Sequence, residues 1–268
     1  MKKVFLTIVN ICLIVFIGNA QDVVKKANNF IDLLSAEQKT GTLFPFDSEE
    51  RYNFHFVPFV RKGITFNEMN AQQTDAGLAL LRACLSEMAY KKATDIVAME
   101  VVLKEIENRK PEDKYRDPGN YHFSIFGIPS NKTIWGWRFE GHHISYNFSF
   151  DKKMIVSGTP GFMGSNPAVV LTGSKKGKEI LKEETEEGFQ VLNSLDAAQL
   201  RKAIIDTIAY KDILTFDKRS AAINSKLGLK YTDLNETQQA LVLKLIKVYV
   251  NRYTHLFAES MLKDIQAA

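Results

Sequence analysis

The sequence predicts an α+β fold, with a central antiparallel β region flanked by N-terminal and C-terminal helices. Apolar residues recur at helical spacing before residue 110 and after residue 178, whereas residues 121–156 alternate apolar and polar side chains as strands do. Apolar residues make up 45% of the chain, a content that supplies a core and is too high for a disordered protein.

Residues 1–20 have the three-part pattern of a cleavable signal peptide. Two lysines precede an apolar run, and Gly18 and Ala20 place small residues before Gln21. The apolar run is shorter than the roughly 20 residues that a membrane span needs. We therefore expect a periplasmic or secreted protein in which residues 21–268 form one α+β domain without membrane association.

Net charge and cysteine content limit the expected partners and the means by which the fold is stabilised. The net charge of +4 falls to about +2 once Lys2 and Lys3 are removed with the signal peptide. A nucleic-acid partner is not expected, because such binders normally carry a concentrated basic face. The expected partner is a small molecule or a peptide. The mature chain keeps only Cys84, which the helical pattern around it places in the core as an inert residue, so no disulfide stabilises the fold.

Four helices and one strand are predicted before residue 110. Apolar residues at helical spacing indicate the helices, and a Ser and a Gln three positions apart give the second one a capping box. Alternating aromatic and polar residues indicate the strand, which ends near Pro58. The helices lie at 22–34, 35–38, 70–90 and 94–109, the last capped by Thr94, and the strand lies at 52–59.

Strands are predicted in the middle of the chain and helices after it. The strands lie at 121–127, over 134–150 as one or two strands, and at 154–156, with turn residues at 128–131 and a glycine- and proline-rich loop at 157–167. The later helices lie at 179–192, 196–209, 235–251 and 254–266, with Ser194 as a cap and 211–230 as the least structured stretch.

The densest cluster of polar and aromatic side chains is Trp135–Asn147, which holds both tryptophans and two of the five histidines. Along one continuous strand, alternation places Arg138, Glu140 and His142 on one face and His143 on the other. A bulge at the intervening glycine would turn both histidines to the same side.

These residue types suit two kinds of chemistry. A glutamate and a histidine can share a metal ion, or the carboxylate can orient the imidazole for acid/base catalysis. Folding of the predicted hairpin brings His122 opposite Phe139 or Glu140. The candidate ligands for a divalent metal such as zinc are then His142, His143 and Glu140, with His122 as a fourth ligand or an acid/base group. Alternatively, the charged pair on this strand is only a surface salt bridge.

The loop at 157–167 is the second candidate for a site. Its glycines let backbone N–H groups approach an anion or a substrate, so Gly161, Gly164 and Asn166 are candidate substrate-binding residues. Alternatively, the loop is only a rigid connection that packs through Phe162 and Met163.

Other local patterns predict no reaction. Residues 173–179 resemble a phosphate loop, but three residues separate the glycines instead of four, and a Glu stands where Ser or Thr would hold magnesium. His55 and His255 stand alone and are expected to be structural. The sequence lacks the short signatures of serine hydrolases, zincins, thioredoxins and dinucleotide-binding folds.

Four segments in this order resemble the DUF3500 family, exported proteins of uncharacterised function. They are Phe54–Pro58, Tyr121–Gly127, Trp135–His143 and Pro160–Ala168. The resemblance spans nearly the whole mature chain, and the W-G-W-R-x-E-G-H-H string is its most specific part. The resemblance implies no reaction. It also implies a further C-terminal β segment with an H-x-H, so we expect this chain to be C-terminally truncated relative to the family.

Two functions are consistent with these residues. The first is an exported, metal-assisted hydrolase-like enzyme that uses the Glu-Gly-His-His strand, with Arg138 holding an anionic group of the substrate. The second is a non-catalytic binding protein in which Trp135 and Trp137 stack on a sugar or another flat ligand. A scaffold without a site is a third possibility. Histidine and carboxylate atoms within about 4 Å of a common point would favour the metal site.

Overall fold

The structure, a computed structural model, describes residues 20–223, 225 and 227–268. The predicted signal peptide therefore lies outside the described residues, except for Ala20. Within the described ranges the chain forms eight α-helices and one seven-stranded mixed sheet, which confirms the predicted α+β class. None of these helices has the length and apolar content that a membrane crossing requires.

Helices form most of both ends of the described chain, and strands form most of its middle. The helices are α1 (Ala20–Leu33), α2 (Ala36–Thr42), α3 (Ala71–Cys84), α4 (Glu87–Ile106), α5 (Lys182–Asn193), α6 (Ala197–Ala203), α7 (Glu236–Val250) and α8 (His255–Ala267). The strands are β1 (Leu43–Phe44), β2 (Ile64–Thr65), β3 (His122–Phe126), β4 (Ile134–Gly141), β5 (Ile144–Asp151), β6 (Met154–Ser157) and β7 (Gly161–Met163). Turns of 3₁₀ helix lie at Glu49–Tyr52, Phe66–Glu68 and Tyr231–Asp233.

The sheet has the order β1-β3-β4-β5-β6, with β2 also paired with β3 and β7 with β5. Its pairs are antiparallel except β1 with β3. The predicted central antiparallel β region is therefore present as β3 to β6, within a sheet that one short parallel strand makes mixed. The parallel pair arises because two residues directly after α2 run alongside β3. The predicted approach of His122 to Glu140 is confirmed, since the two residues are directly opposite in β3 and β4.

One face of the sheet packs against the N-terminal helices. Alternation along β4 turns Trp135, Trp137 and Phe139 to this face, where all three are buried in the main apolar cluster. Phe30 of α1 contacts Phe123 of β3 with ring centroids 5.4 Å apart. Cys84 is buried and has a free thiol, as predicted, and burial raises its pKa. The core therefore forms between the sheet and α1, α3 and α4.

The opposite face of the sheet is covered by residues 49–62, which we call the strap. The predicted strand at 52–59 is wrong, because the strap is irregular after its 3₁₀ turn. Its backbone bonds to scattered points instead of one ladder: Asn53 O accepts from Arg138 Nη1 at 2.6 Å, and Phe56 O accepts from His143 N at 2.7 Å. Both faces of β4 are consequently buried.

Several predicted boundaries shift for local reasons. The break between α3 and α4 lies at Leu85 and Ser86, because Ser86 Oγ accepts a hydrogen bond from the Ala89 N–H and begins α4 there. Thr94 is therefore inside α4 and is not its cap. The loop at 157–167 contains β7, which pairs with β5, and α6 ends at Ala203 instead of residue 209. Ser194 ends α5, and Asp196 caps α6.

A buried ion triad attaches the C-terminal helices to the rest of the fold. Lys92 Nζ of α4 lies 2.8 Å from Glu184 Oε1 of α5, and Arg252 Nη2, just after α7, lies 2.8 Å from the same oxygen. These hydrogen bonds outweigh the effect of burial and hold the pKa of Glu184 below its usual value.

Candidate functional site

The two histidines of the Glu-Gly-His-His string form the turn of the β4–β5 hairpin. Gly141 pairs with Ile144, so His142 and His143 are the two connecting residues and do not lie on a strand. Their ring centroids are 3.8 Å apart. A side chain at position 141 would collide with the ring of Tyr121, because an added Cβ would lie 2.3 Å from Tyr121 Cδ1. The turn therefore brings both imidazoles together without the predicted bulge.

His142 is paired with a glutamate of α4 that was not among the predicted site residues. Its Nδ1 lies 2.5 Å from Oε1 of Glu100, which is 2% exposed and projects from α4. Because a carboxylate only accepts hydrogen bonds, Nδ1 is the donor in this pair, and in the neutral imidazole Nε2 is then the nitrogen with the lone pair. The His142 side chain is 12% exposed, so solvent reaches this buried pair at its imidazole end.

An arginine lies beside the same imidazole. Arg116 Nη1 is 3.1 Å from Nδ1 and 3.4 Å from Nε2 of His142, and 3.9 Å from Oε2 of Glu100. Its Nη2 donates to Glu107 Oε1 at 2.6 Å. The hydrogen bonds from Arg116 are the main reason that the pKa of Glu107 falls to about 2. A guanidinium held in this way can contact an anionic oxygen next to the imidazole.

His143 adopts an unusual backbone conformation, with φ +60. A non-glycine residue in this left-handed region carries strain, which tends to occur at functional sites and turns. Its N–H donates to Phe56 O of the strap, and its carbonyl accepts from Gly164 N at 2.8 Å. Burial, with smaller contributions from His142 and Arg116, lowers its pKa to about 4. Its Nε2 is buried without a hydrogen-bond partner among the described residues.

Arg138 and Glu140 belong to a separate ion network beneath the strap. Arg138 Nη2 donates to Glu50 Oε1 at 2.6 Å, Arg138 Nε lies 2.6 Å from Glu140 Oε1, and Arg61 Nε lies 3.4 Å from Glu140 Oε2. The last two contacts are ion pairs without hydrogen-bond alignment. Burial dominates and raises the pKa of Glu140 to about 7. Arg138 therefore holds the strap and is not open to a substrate.

His122 does not join the other candidate ligands. Its Nδ1 lies 3.4 Å from Gly63 O and its Nε2 lies 3.2 Å from Asn120 Oδ1, and burial lowers its pKa. In the part of the chain that the structure describes, no three His, Cys, Asp or Glu side chains are grouped to hold a metal ion. The predicted zinc set of His142, His143 and Glu140 is thus not assembled, because Glu140 faces the strap while His142 pairs with Glu100 of α4.

The predicted aromatic surface is also absent. Trp135 is 0% exposed and stacks on Phe150 at 4.4 Å, and Trp137 is 1% exposed and stacks on Phe148 at 4.9 Å. Neither ring can stack on a ligand from solvent, because the alternation of β4 turns both toward the helices.

The predicted substrate loop is divided by the structure. Gly164 contacts the histidine turn, where an added Cβ would lie 2.9 Å from His143 Nδ1. Gly161 belongs to β7 and contacts Tyr253, whose hydroxyl would be 2.2 Å from an added Cβ. Asn166 is exposed. One of the three candidates therefore lies at the histidines.

Two residues that sequence reasoning missed, Glu100 and Arg116, complete the cluster. One signal for Glu100 was available, since it shares the buried stripe of α4 with Ile96, Met99 and Leu103. A carboxylate at a core position is rarely buried without a partner. Arg116 lies between elements and gave no comparable signal.

An apolar cavity of about 370 Å³ lies between α3, α4 and the turn before β3. Its lining includes Phe66, Leu78, Leu81, Ala93, Val97 and Phe139. Val97 is three residues before Glu100 on α4, so the cavity ends about one helical turn from the buried carboxylate.

Fold and site together define an α+β protein with a carboxylate–imidazole pair at the turn of its central hairpin. The family model described as "Protein of unknown function (DUF3500)" matches residues 18–268, and the chain belongs to this family. Neither the curated proteins nor the solved structures contain a match to this chain.

Proposed function

We propose that this is an exported hydrolase-like enzyme in which Glu100 and His142 act as a general-base pair. The observation that carries the proposal is the 2.5 Å separation between Glu100 Oε1 and His142 Nδ1. A carboxylate on Nδ1 fixes the tautomer in which Nε2 accepts a proton, and it stabilises the imidazolium that results. This arrangement replaces Glu140 with Glu100 as the orienting group.

The proposed step is the attack of water on an ester or amide carbon, so that p-nitrophenyl phosphate, which has no such carbon, serves as the negative control among the test substrates. One proton of the water passes to His142 Nε2 as its oxygen bonds to carbon. The same proton then passes to the leaving oxygen or nitrogen as the old bond breaks. Arg116, beside the imidazole, would bind the oxygen on which negative charge develops.

A metal-assisted form of the same reaction is the alternative. It would use His142 and His143, whose rings, tilted by 34° with centroids 3.8 Å apart, are the only pair of imidazoles in contact among the described residues. His142 would have to leave Glu100, or Glu100 would have to become a ligand. A chelator separates the two forms, because the general-base form needs no metal.

Export remains part of the proposal. Cleavage before Gln21 would remove only the first residue of α1, and its buried residues Val23, Val24, Ala27 and Phe30 would stay in the mature chain. The processed fold would therefore keep its core. Expression of the full chain followed by N-terminal sequencing of the exported product tests this, and a product that retains residues 1–20 would contradict it.

The catalytic proposal is tested with p-nitrophenyl acetate, butyrate and phosphate, with and without EDTA. His142→Ala should lower kcat/KM by about 100-fold or more, the usual contribution of a general base. Glu100→Gln should lower it by about tenfold or more while keeping the side-chain shape. The matched control is His255→Ala, since His255 is an exposed histidine far along the chain. Equal rates for His142→Ala and the wild type would refute the proposal.

A second candidate is a non-catalytic ligand-binding protein, which the 370 Å³ cavity favours. This volume is within the roughly 300–1,000 Å³ of small-molecule sites, which are mostly apolar. The test is binding of the apolar dye N-phenyl-1-naphthylamine. Val97→Phe, which fills the cavity, should abolish binding, and Val101→Phe, at an exposed position of the same helix, should not. Equal dye binding by both variants would refute this candidate.

A further inference from the structure

A second cavity, of about 180 Å³, lies above the polar face of β4 and β5, far from the histidine turn. Below it, one position in a row of neighbouring residues across three strands lacks a side chain. Phe126, Gly136 and Ser149 are neighbours across β3, β4 and β5, and Gly136 at the centre has no side chain. A Cβ at this position would lie 2.6 Å from Phe148 O, so the glycine is required there.

The lining of this cavity is about half polar. Its polar side chains are Arg51, Tyr52, Asn147, Ser149, Ser157 and Thr159, its other residues are Phe126, Trp137 and Phe148, and it contains no acidic residue within the described part of the chain. The hydroxyl and amide groups distinguish this lining from the almost wholly apolar lining of the larger cavity. They suit a ligand that makes several hydrogen bonds.

Arg51 supplies the positive charge. Its Nε donates to Phe46 O at 2.8 Å and its Nη2 donates to the Tyr52 hydroxyl at 2.5 Å, so Nη1 is not used by these bonds. Tyr52, the neighbour of Arg51, also has the guanidinium of Arg219 3.7 Å from the centroid of its ring. Nearby carboxylates are already paired elsewhere, with Glu49 bonded to Arg219 and Glu50 to Arg138. The Arg51 guanidinium lies over the rings of Phe46, at 4.3 Å, and Tyr52, at 4.4 Å, but no carboxylate among the described residues forms an ion pair with it, so a ligand carboxylate can do so.

We infer that this cavity binds a small hydroxylated carboxylate of about the size of one sugar ring, such as a sugar acid. The cavity is smaller than the roughly 300 Å³ lower limit for drug-sized ligands, so the part of a ligand that it encloses is about one sugar ring in size. Arg51 pairs with the carboxylate, and Asn147 and Ser149 bond to ligand hydroxyls. This site is independent of the Glu100–His142 pair, and either can fail without the other.

Isothermal titration of the purified protein with D-glucuronate, D-galacturonate and D-gluconate tests the inference, with D-glucose as the neutral match. At least one acid should bind, with glucose weaker by about tenfold or more, because a charge-assisted hydrogen bond is lost. Failure of all three acids to bind at 10 mM would overturn the inference.

Two pairs of variants locate the binding. Arg51→Gln should weaken it about tenfold or more, while Arg51→Lys keeps the charge and should weaken it less. Ser149→Leu fills the cavity and should abolish binding, whereas Ser149→Ala leaves the space open and should cost less than about tenfold. Thermal unfolding verifies that each variant is folded. Unchanged affinity in folded Ser149→Leu would place the ligand elsewhere and overturn the inference.

Discussion

His142 Nδ1 lies 2.5 Å from Oε1 of Glu100, a residue 42 positions earlier in the chain. Glu140, only two positions from His142, instead contacts Arg138 and Arg61 beneath the strap. The end of β4 thus separates two charge clusters. One is sealed under the strap, and the other lies at the hairpin turn with an imidazole that solvent reaches.

The coupling between Glu100 and His142 should be measurable in the free energy of unfolding. We expect an interaction of about 1–3 kcal/mol in a double-mutant cycle of Glu100→Gln and His142→Ala, because the hydrogen bond is charge-assisted and nearly buried. Urea unfolding gives the four stabilities. Glu105→Gln, at an exposed position of α4, is the control and should change stability by less than about 0.5 kcal/mol. Strictly additive single mutants would show that the two groups do not interact.

Glu140 should make stability depend on pH. Its folded pKa of about 7 exceeds the ordinary carboxylate value of 4.5, so the folded state holds a proton that the unfolded state releases. The folded state therefore loses stability as pH rises from about 4.5 to 7. The stability of the wild type relative to Glu140→Gln should fall by up to about 3 kcal/mol across this window.

Unfolding in urea at pH 5, 6, 7 and 8 measures this difference. Glu112→Gln, at an exposed position, is the control and should show a difference that does not vary with pH. A constant difference for Glu140→Gln as well would mean that Glu140 has an ordinary pKa.

His143 should remain neutral through the mildly acidic range. Its folded pKa of about 4 is below the ordinary histidine value of 6.5, so the unfolded state binds the extra proton between these values. Its contribution to stability is complete above about pH 6.5 and is lost as pH falls toward 4. An NMR titration of the ring Cε1 proton should give a midpoint near 4. A midpoint near 6.5 would contradict the burial argument.

The buried triad of Lys92, Glu184 and Arg252 should be much more sensitive to replacement of Glu184 than to replacement of the adjacent Glu183. Glu184→Gln should destabilise the protein by about 3 kcal/mol or more, because it removes the buried carboxylate that Lys92 and Arg252 share and leaves Lys92 only the more distant Glu183. Glu183→Gln should cost less than about 1 kcal/mol, because the Glu183 side chain is 47% exposed and lies 3.5 Å from Lys92. Thermal and urea unfolding compare the two. Similar losses would show that the triad adds no specific stability.

Local patterns in the sequence determined most of the secondary structure. Ser35 with Gln38, and Asn235 with Gln238, form capping boxes that begin α2 and α7. Alternation identified β3 to β6, and the hairpin predicted from it placed His122 opposite Phe139 or Glu140, of which Glu140 is the observed partner. These features depend only on residues a few positions apart or on one tight hairpin. The helical and strand periods of the sequence are therefore enough to predict them.

Only the tertiary structure decided which side chains share a site. It paired His142 with Glu100 from another helix, turned Trp135 and Trp137 into the core, and covered Arg138 and Glu140 with an irregular strap. The period of a helix or strand determines which face of that element each residue occupies. The element that covers that face is selected by the packing of the whole chain, where the burial of each charge must be offset by a partner distant in sequence.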